Sequence, residues 1–392
     1  MRQNNYKLRI SKYLALPIII ILFCSNLSLG QSIFEYKGYL TNMESAWLQN
    51  DVDVMLLSGT AQNRFDFFIY PTSNINVNIG LRNNLDYGNT VLLNPNYAKL
   101  ITQDDGYFNL TKSWHENNSY VFYSTLDRFN IFYSSNDFEI QIGRQRINWG
   151  VNLAWTPNDI FNSSSYLNFD YEEKQGSDAI RGQYYFDYSS SLEFVYKIDG
   201  LDRVTTSLMY RFNFMNYDFQ TFAGMMHHDY VFGAGWSGNI LSSNFSGEMT
   251  YFRNKDNFAD TTGQLVTSLG WTYTFATDFY VHAELLFNSL GTTDKAGGST
   301  TFISTGYSAK SLSPAKYSLF GDIAYQVNPL IRVDLSSIVN PNDKSFYIGP
   351  FASFSISQSV DMLLGGQFFF GDSNTEWGDY GQFYFLRLKW SF

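Results

Sequence analysis

Polar and apolar residues alternate along this chain in segments of about ten residues, and the pattern recurs up to the C-terminus. In segment 74–82 (NINVNIGLR), every second residue is Ile, Val or Leu, and Asn, Gly and Arg stand between them. In segment 384–392 (YFLRLKWSF), one face carries Tyr, Leu, Leu, Trp and Phe, and the other face carries Phe, Arg, Lys and Ser. Side chains of a β-strand point alternately to opposite faces. The pattern therefore predicts strands with one apolar and one polar face, which a soluble β-sandwich could also contain.

Connection lengths separate these two architectures. Short connections rich in turn-forming residues are predicted at 71–73, 134–137, 189–191, 215–217, 276–278, 327–329 and 357–359. Longer ones alternate with them, at 86–118, 151–178, 198–203, 254–263, 289–316, 339–344 and 370–379. Short periplasmic turns and long external loops are typical of bacterial outer-membrane barrels. The chain is therefore predicted to be all-β, a transmembrane antiparallel up-and-down β-barrel.

The alternation between Ile33 and Phe392 predicts about eighteen strands, with 16 as the alternative. An even number places the N- and C-termini of the barrel domain at the periplasmic side. Two stretches leave the count open. Residues 44–61 are either a loop or part of a longer second strand, and residues 226–245 contain only short connections.

The N-terminal segment has the features of a secretory signal peptide. Basic residues precede an apolar run at 13–24, and the small residues Ser28 and Gly30 suit a cut before Gln31. Residues 1–30 are therefore predicted to be removed, leaving residues 31–392 as one barrel domain. Cys24, the sole cysteine, would leave with the signal. A lipoprotein would instead need a small residue immediately before that cysteine, where Phe23 stands.

The charge balance and hydropathy narrow the location and the partners. Residues 1–30 contain four of the 26 basic and none of the 36 acidic residues, so the remainder has a net charge of −14. Such a chain is a poor partner for nucleic acid. After the signal there is no apolar stretch of 18 residues, so a membrane location requires a closed barrel. We expect the cell outer membrane, contacts with its lipid and lipopolysaccharide, and no cofactor or metal. The oligomeric state stays open.

Charged residues gather on the face opposite the apolar one. This distribution predicts an aqueous lumen. The candidate lumen residues are Arg82, Arg128, Arg181, Lys197, Arg211, Arg332, Arg387, Lys389, Glu139, Glu193, Glu248, Glu284, Asp322, Asp334 and Asp361. Tyr and Phe near the short turns, such as Tyr70 and Tyr133, suggest an aromatic girdle at the membrane interface.

One segment breaks the alternation. Residues 138–142 direct even positions toward lipid, which would carry Arg144 and Arg146 into the bilayer. An arginine there costs about 2–4 kcal/mol at the midplane. A β-bulge at Gly143 would shift the register by one and send both arginines into the lumen. Alternatively, the stretch already lies above the membrane.

Three stretches follow one another closely: IGRQRINWG at 142–150, WTPNDIFN at 155–162 and GSDAIR at 176–181. Together they resemble a pattern of porin-like outer-membrane proteins, including alginate-export-type barrels with a G-R-Q-x-x-x-W-G strand. The resemblance covers about 40 residues. In such relatives this strand leads into a loop that can fold toward the lumen. A proline commonly follows the N-D-x-F-N stretch, where this chain has Ser163.

The resemblance also concerns the end of the barrel. In known outer-membrane barrels the terminal aromatic strand serves as an assembly signal. By this resemblance, Phe392 would be recognised by the barrel insertion machinery.

The predicted loop carries acidic residues between strands that carry arginines. The acids are Asp159, Asp170, Glu172, Glu173 and Asp178, and the arginines are Arg144, Arg146 and Arg181. If the loop folds inward, the two sets form a constriction that selects small polar or anionic solutes by charge and size. If it stays outside, it is an ordinary solvated loop. A calcium site at 170–173 is a weaker alternative, because the acids lack regular ligand spacing.

Three functions fit these features. The favoured one is a porin-like channel for small hydrophilic solutes, including anionic or saccharide solutes. The second is an export or assembly barrel for surface polysaccharide. The third, a barrel hydrolase, would rely on His227 and His228 in a short external connection, but no serine in a supporting pattern accompanies them. His115 and His282 are the other histidines. The chain is therefore predicted not to be an enzyme.

Overall fold

Antiparallel strands make up most of the chain, as the alternating pattern predicts. The computed structural model describes residues 33–49, 55–168, 173–259, 262–297 and 307–392. Its strands are β1 (Phe34–Leu48), β2 (Met55–Thr72), β3 (Ile75–Gly88), β4 (Thr111–Glu116), β5 (Tyr120–Ser134), β6 (Phe138–Gln145), β7 (Ser177–Tyr185), β8 (Ser191–Ile198), β9 (Val204–Phe214), β10 (Tyr217–Met226), β11 (Asp229–Ile240), β12 (Ser243–Asn254), β13 (Gln264–Thr274), β14 (Phe279–Asn288), β15 (Tyr317–Asn328), β16 (Ile331–Asn340), β17 (Ser345–Ser357), β18 (Val360–Phe370) and β19 (Gln382–Ser391). Two short helices, α1 (Asn89–Leu93) and α2 (Tyr97–Ile101), precede β4.

The sheet closes on itself. Apart from β4, each strand pairs with its neighbours in sequence, and β19 returns to β1 with Tyr39 opposite Ser391 and Leu48 opposite Gln382. The wall is thus a closed antiparallel barrel of 18 strands, which confirms the predicted fold class and strand number. Closure leaves no open sheet edge.

The short strand β4 is not counted among the 18 strands of the wall, but it completes the wall at one place. β6 pairs with β5 only over residues 129–134. Toward the outer end, meaning the end with the long connections, β5 pairs instead with β4 over residues 121–125. The chain next to β4 reaches the β8–β9 connection through a bridge between Gly106 and Asp199. β4 therefore covers the edge that β6 leaves when it ends at Gln145.

The two ends of the barrel differ in the lengths of their connections. At one end, within the described ranges, all connections are short: 73–74, 135–137, 186–190, 215–216, 241–242, 275–278, 329–330 and 358–359. Seven of these correspond to predicted turns. The one at 241–242 lies in the stretch 226–245 that the sequence left open, where a two-residue outer turn at 227–228 also occurs.

Exposure alternates along the wall strands as the sequence predicts. In β19, Leu386, Leu388 and Trp390 are 40%, 44% and 51% exposed, and Phe385 between the outward positions is 5% exposed. The exposed face is the one assigned to lipid. At the end of the strand, Gly38 and Phe392 exchange two backbone hydrogen bonds of 2.9 Å, and the rings of Phe65 and Phe392 lie 5.7 Å apart.

The predicted bulge at Gly143 is wrong. β6 pairs with β5 and with β7 through Gly143 without a register shift. Gly143 instead has φ +114°, and a Cβ there would clash with the carbonyl oxygen of Phe129. Glycine tolerates this backbone conformation. Arg144 avoids lipid because Asp104 and Asp178 enclose it, not because the pairing shifts.

The signal peptide at 1–30 lies outside the described residues and stays a prediction. Among the residues that the structure describes, no helix is long and apolar enough to span a membrane.

Candidate functional site: a loop across the lumen

The connection between β6 and β7, residues 146–176, is named the inner loop, and its described parts, 146–168 and 173–176, lie inside the barrel. Local turns shape its central part: the N–H of Asp159 donates to the carbonyl of Thr156 at 3.0 Å, and Asp159 Oδ1 accepts the N–H of Asn162 at 3.2 Å. Pro157 fixes its own φ within this turn. Of the two alternatives left by the sequence, the described part of the loop follows the inward one.

A buried carboxylate on β12 binds the backbone of the inner loop. Glu248 Oε1 accepts the N–H groups of Val151 and Asn152 at 2.8 and 2.7 Å. Glu248 Oε2 accepts the N–H of Asn158 at 2.9 Å. Glu248 is 0% exposed. Three main-chain donors and one buried carboxylate thus satisfy each other, as buried polar groups must.

Glu284 on β14 binds the next turn of the loop in the same way. Its Oε1 accepts the N–H groups of Leu153 and Ala154 at 2.7 and 2.9 Å. Its Oε2 accepts the N–H of Trp155 at 3.1 Å. His282 Nε2 also lies 2.7 Å from Glu284 Oε1. The segment 151–158 is therefore held by charge-assisted hydrogen bonds to two strands of one wall.

A third buried carboxylate fixes the start of the loop. Glu193 on β8 accepts a hydrogen bond from Trp149 Nε1 at 2.9 Å. The same carboxylate pairs with Arg181 at 2.8 Å and with Arg211 at 3.2 Å. Two of the predicted lumen arginines therefore share one acid beside the loop.

The end of the loop is bound to the opposite wall. Arg128 on β5 donates to the carbonyl oxygen of Lys174 at 2.7 Å. The hydroxyl of Tyr39 on β1 donates to Glu173 Oε2 at 2.6 Å, and Arg64 lies 3.8 Å from the same carboxylate. The inner loop consequently crosses the lumen from one wall to the other.

Apolar packing supports the same path. The ring of Trp149 lies 4.8 Å from Phe161 and 5.2 Å from Phe222. Trp155 lies 6.2 Å from Phe320 on β15. Aromatic pairs at such separations stabilise by about 0.5–1.5 kcal/mol beyond area burial. Between the loop and the wall strands the lumen is therefore filled by aromatic side chains.

Two cavities lie on either side of the inner loop. The outer cavity, of about 680 Å³, is bordered by loop residues and by groups near the outer end such as Asp199 and His227. The inner cavity, of about 530 Å³, extends toward the short turns past Asp334 and Leu363. Among the described residues, those that line both are Ser164, Ser165, Asn168, Lys174 and Gln367. We call these five residues the neck.

Arg146 and Asp159 are the predicted site residues that the structure brings together beside the neck. Their side chains lie 3.6 Å apart, and both line the inner cavity. Burial raises the pKa of Asp159, which belongs to the loop and not to a membrane-spanning strand, to about 6, against the opposing effect of Arg146. The side chain of Arg146 is 26% exposed and that of Asp159 is 2% exposed, so the arginine faces the cavity and the buried carboxylate lies beside it.

Arg144 has a different environment from Arg146. It is 3% exposed and pairs with Asp104 at 2.7 Å and with Asp178 at 2.8 Å. It also donates to the carbonyl oxygen of Phe108 at 2.6 Å. Burial opposes ionisation of Asp104, but hydrogen bonds from Arg144 and the loop backbone lower its pKa. Neither cavity is lined by Arg144, which joins the chain before β4 to the ends of β6 and β7.

The other predicted residues lie around the lumen wall. Arg82 lies 3.7 Å from Asp127, Arg332 pairs with Asp334 at 2.8 Å, and Glu139 accepts a hydrogen bond from Tyr185 at 3.1 Å. Arg387 occupies an inward position of β19, opposite Met43 of β1. Asp178, besides binding Arg144, borders the outer cavity.

Sequence reasoning did not identify the partners that hold the inner loop. Glu193, Glu248 and Glu284 were expected on the lumen face but not as ligands of loop backbone, because N–H groups carry no sequence signature. Arg64 was missed, although the alternation of Phe65 and Phe67 in β2 places it on the inward face. It is 1% exposed and bonds to Asp66 and Asp127.

The remaining candidates do not form a catalytic or metal centre in the described part of the chain. His227 lies 3.6 Å from Asp199, and the exposed His228 pairs with Asp256 at 2.9 Å. No group of three or more His, Cys, Asp or Glu residues suited to a metal occurs among the described residues. The calcium hypothesis concerns mainly 170–172, which lie outside them.

Comparison of structures reveals a shared fold. OccAB4 of Acinetobacter baumannii superposes with a TM-score of 0.58 at 10% identity, covering 93% of this chain and 99% of that one. OprD of Pseudomonas aeruginosa gives 0.56 at 9% identity, with 92% and 95% covered. OccD3 (OpdP) of the same organism gives 0.54 at 9% identity, with 91% of each chain covered. These neighbours are outer-membrane porins.

No protein-family model matches the sequence of this chain, and no curated protein matches it.

Proposed function

We propose that this protein is an outer-membrane channel that passes small hydrophilic solutes through a lumen narrowed by the inner loop. Its location would be the outer membrane of a Gram-negative bacterium, reached by an N-terminal signal peptide and the barrel insertion machinery. The lipid-facing wall and the closed sheet support the location, since only closed barrels and helices span a bilayer.

One observation carries the proposal: the two cavities on either side of the inner loop share the five residues of the neck. The outer cavity lies toward the long connections and the inner cavity toward the short turns, and both are lined by Ser164, Lys174 and Gln367. Ser, Lys and amide groups make the neck polar. A hydrophilic solute entering from outside would therefore meet a polar constriction before the inner half of the lumen.

The charges near the neck support selection by charge as well as size. Lys174 lies in the neck, and Arg146 faces Asp159 in the inner cavity. Asp334 lines the same cavity from β16. Opposite charges across a narrow polar path produce a transverse field, which favours small polar or charged solutes that can orient in it.

Conductance in planar lipid bilayers tests this function. We expect ohmic current in potassium chloride, and we expect Arg146→Ala to shift the reversal potential in a salt gradient toward cation selectivity. Arg253→Ala is the matched control, because Arg253 at the outer end of β12 lies over the ring of Phe258 at 4.9 Å and lines neither cavity. A barrel that inserts but carries no current would contradict the proposal.

A further inference from the structure

The inner cavity contains charged groups of both signs. Among the described residues that line it are the cations Arg146 and Lys174 and the carboxylates Asp159 and Asp334. Arg146 lies 3.6 Å from Asp159, and Asp334 pairs with Arg332 at 2.8 Å. Within this described set the charges compensate one another. An ion gains little over a neutral solute from such a surface.

Neutral hydrogen-bonding groups supply much of the remaining lining. Amides come from Asn148, Asn168 and Gln367, and hydroxyls come from Ser165 and Ser353. An amide or hydroxyl both donates and accepts hydrogen bonds, whereas a carboxylate solute accepts only. A solute rich in hydroxyl groups also does both. The lining therefore matches a polyhydroxylated solute better than an anion.

The cavity also has an apolar side. Tyr166 of the inner loop, Phe351 of β17 and Leu363 of β18 border it, whereas Tyr347, which is 1% exposed, adds almost no surface. The ring of Tyr166 is held 4.7 Å from Phe320, at 68°. Sugar rings have C–H faces as well as hydroxyl edges, and an aromatic side chain provides a rigid apolar surface for such a face. Polar groups at one side and rings at another would fix the orientation of a pyranose.

The volume of the cavity limits the size of its ligand. At about 530 Å³ it falls within the range of about 300–1,000 Å³ typical of sites for small organic molecules. Because the cavity shares the neck residues with the outer cavity, it is the space that a solute crossing the neck would enter first.

From these observations, and resting on the channel function proposed above, we infer that the inner cavity is a binding site for a neutral saccharide of one or two rings. The site would retain the sugar between the neck and the periplasmic opening. Retention in this cavity then depends on hydroxyl hydrogen bonds and on stacking, with little contribution from the net charge of the solute, whereas the charges near the neck act on ions as proposed above.

Current block in planar bilayers tests the inference with maltose and with maltobionate, its carboxylate derivative with an opened reducing ring. Maltitol, the neutral derivative with the same opened ring, separates the loss of a ring from the gain of a charge. We expect maltose to interrupt the potassium chloride current at a concentration at least about fivefold lower than maltobionate, which corresponds to about 1 kcal/mol. Stronger block by maltobionate, or equal block by both, would overturn the neutral-sugar site.

A pair of variants locates the site. Asn148→Leu removes an amide that lines the cavity, and we expect it to raise the half-blocking concentration of maltose about fivefold, the effect of losing about one hydrogen bond. Asn213→Leu is the control, since Asn213 lies at the periplasmic end of β9, bonded to Asp218 and outside the cavity. An equal effect of both variants, or no effect of Asn148→Leu, would remove the site from the inner cavity.

Calorimetry on the detergent-solubilised protein separates this inference from the channel proposal. A barrel that carries no current yet binds maltose, with weaker binding after Asn148→Leu, would contradict the channel and support the sugar site. A barrel that conducts potassium chloride but binds no maltose in either experiment would support the channel and overturn the sugar site.

Discussion

Glu284 Oε1 accepts the backbone N–H of Leu153 at 2.7 Å, so a side chain of β14 determines where the main chain of the inner loop lies. Glu248 does the same from β12 for the N–H of Asn158. The loop position thus depends on acids in strands more than 80 residues away in sequence. Hydrogen bonds to a charged group contribute about 1.5–3 kcal/mol each.

Replacing these acids by their amides should loosen the loop. In a Glu248→Gln, Glu284→Gln double variant, an amide nitrogen replaces one carboxylate oxygen of each acid and cannot accept a hydrogen bond from a loop N–H. The negative charge that strengthens the remaining hydrogen bonds is also lost. We expect a larger and noisier single-channel conductance. Asp361→Asn near the periplasmic end, where Asp361 accepts a hydrogen bond only from the exposed Ser355 among the contacts described, serves as the control. Unchanged noise in the double variant would show that these acids do not hold the loop.

Arg144→Met should destabilise the outer wall without changing ion selectivity. The variant leaves Asp104 and Asp178 without their buried cation, and removal of one partner of a buried ion pair costs about 3–5 kcal/mol. Hydrogen exchange should become faster in residues 104–116. The reversal potential should stay that of the unchanged protein, because Arg144 lines neither cavity. A shift as large as that of Arg146→Ala would instead place Arg144 on the solute path.

The outer loops should become less stable as the pH rises through about 7. Glu376 accepts hydrogen bonds from Ser313 and Asn340, both at 2.9 Å, and its burial, together with the charge of Asp343, raises its pKa from 4.5 to about 7. Between these values the folded protein keeps a proton that the unfolded chain has lost. The resulting stabilisation is complete below about pH 4.5 and is lost as the pH rises through about 7.

Hydrogen exchange of residues 307–316 and 371–381, corrected for the intrinsic effect of pH, measures this dependence. We expect more protection at pH 5 than at pH 8. Glu376→Gln, which stays neutral, should abolish the difference, whereas Asp379→Asn in the same connection should keep it. Equal protection of the unchanged protein at both pH values would contradict the expectation.

Deletion of Phe392 should reduce insertion into the membrane. The deletion removes two backbone hydrogen bonds to Gly38 and the ring contact with Phe65 at the seam between β19 and β1. Insertion is measured by the heat-modifiable migration of the folded barrel in membrane fractions. Phe392→Leu, which retains the backbone bonds, separates the seam from recognition of the aromatic side chain. Full insertion of the deletion variant would argue against both roles.

The sequence predicts the wall of this protein far better than its interior. Each strand repeats the same constraint, apolar toward lipid and polar toward water, so the alternation around Leu386 and Leu388 also identifies Arg387 as inward-facing. The turn at 241–242 escaped prediction because Leu241, with φ +55°, is not a residue that marks turns.

The candidate site is harder to predict because its partners are far apart in sequence and partly main chain. The motif around Gly143 suggested an inward loop, and Arg146 and Asp159 do meet. The role of Gly143 was misjudged, since a single positive φ reorients the chain without the extra residue that a bulge requires. Nothing in the local sequence of Val151 indicates that Glu248 binds it.

The strand that ends early, β6, has a consequence for how such a barrel can diversify. Because β4 completes the circumference beside β5, the chain that leaves the wall at Gln145 is free to vary in length and composition while the girth of the cylinder stays constant. The wall strands thereby meet the requirements of the lipid bilayer, and the inner loop narrows the lumen that a solute would cross. Exchanging residues 146–176 between such barrels would then transfer the constriction only if the recipient wall also carries acids that bind the loop backbone, as Glu248 and Glu284 do here.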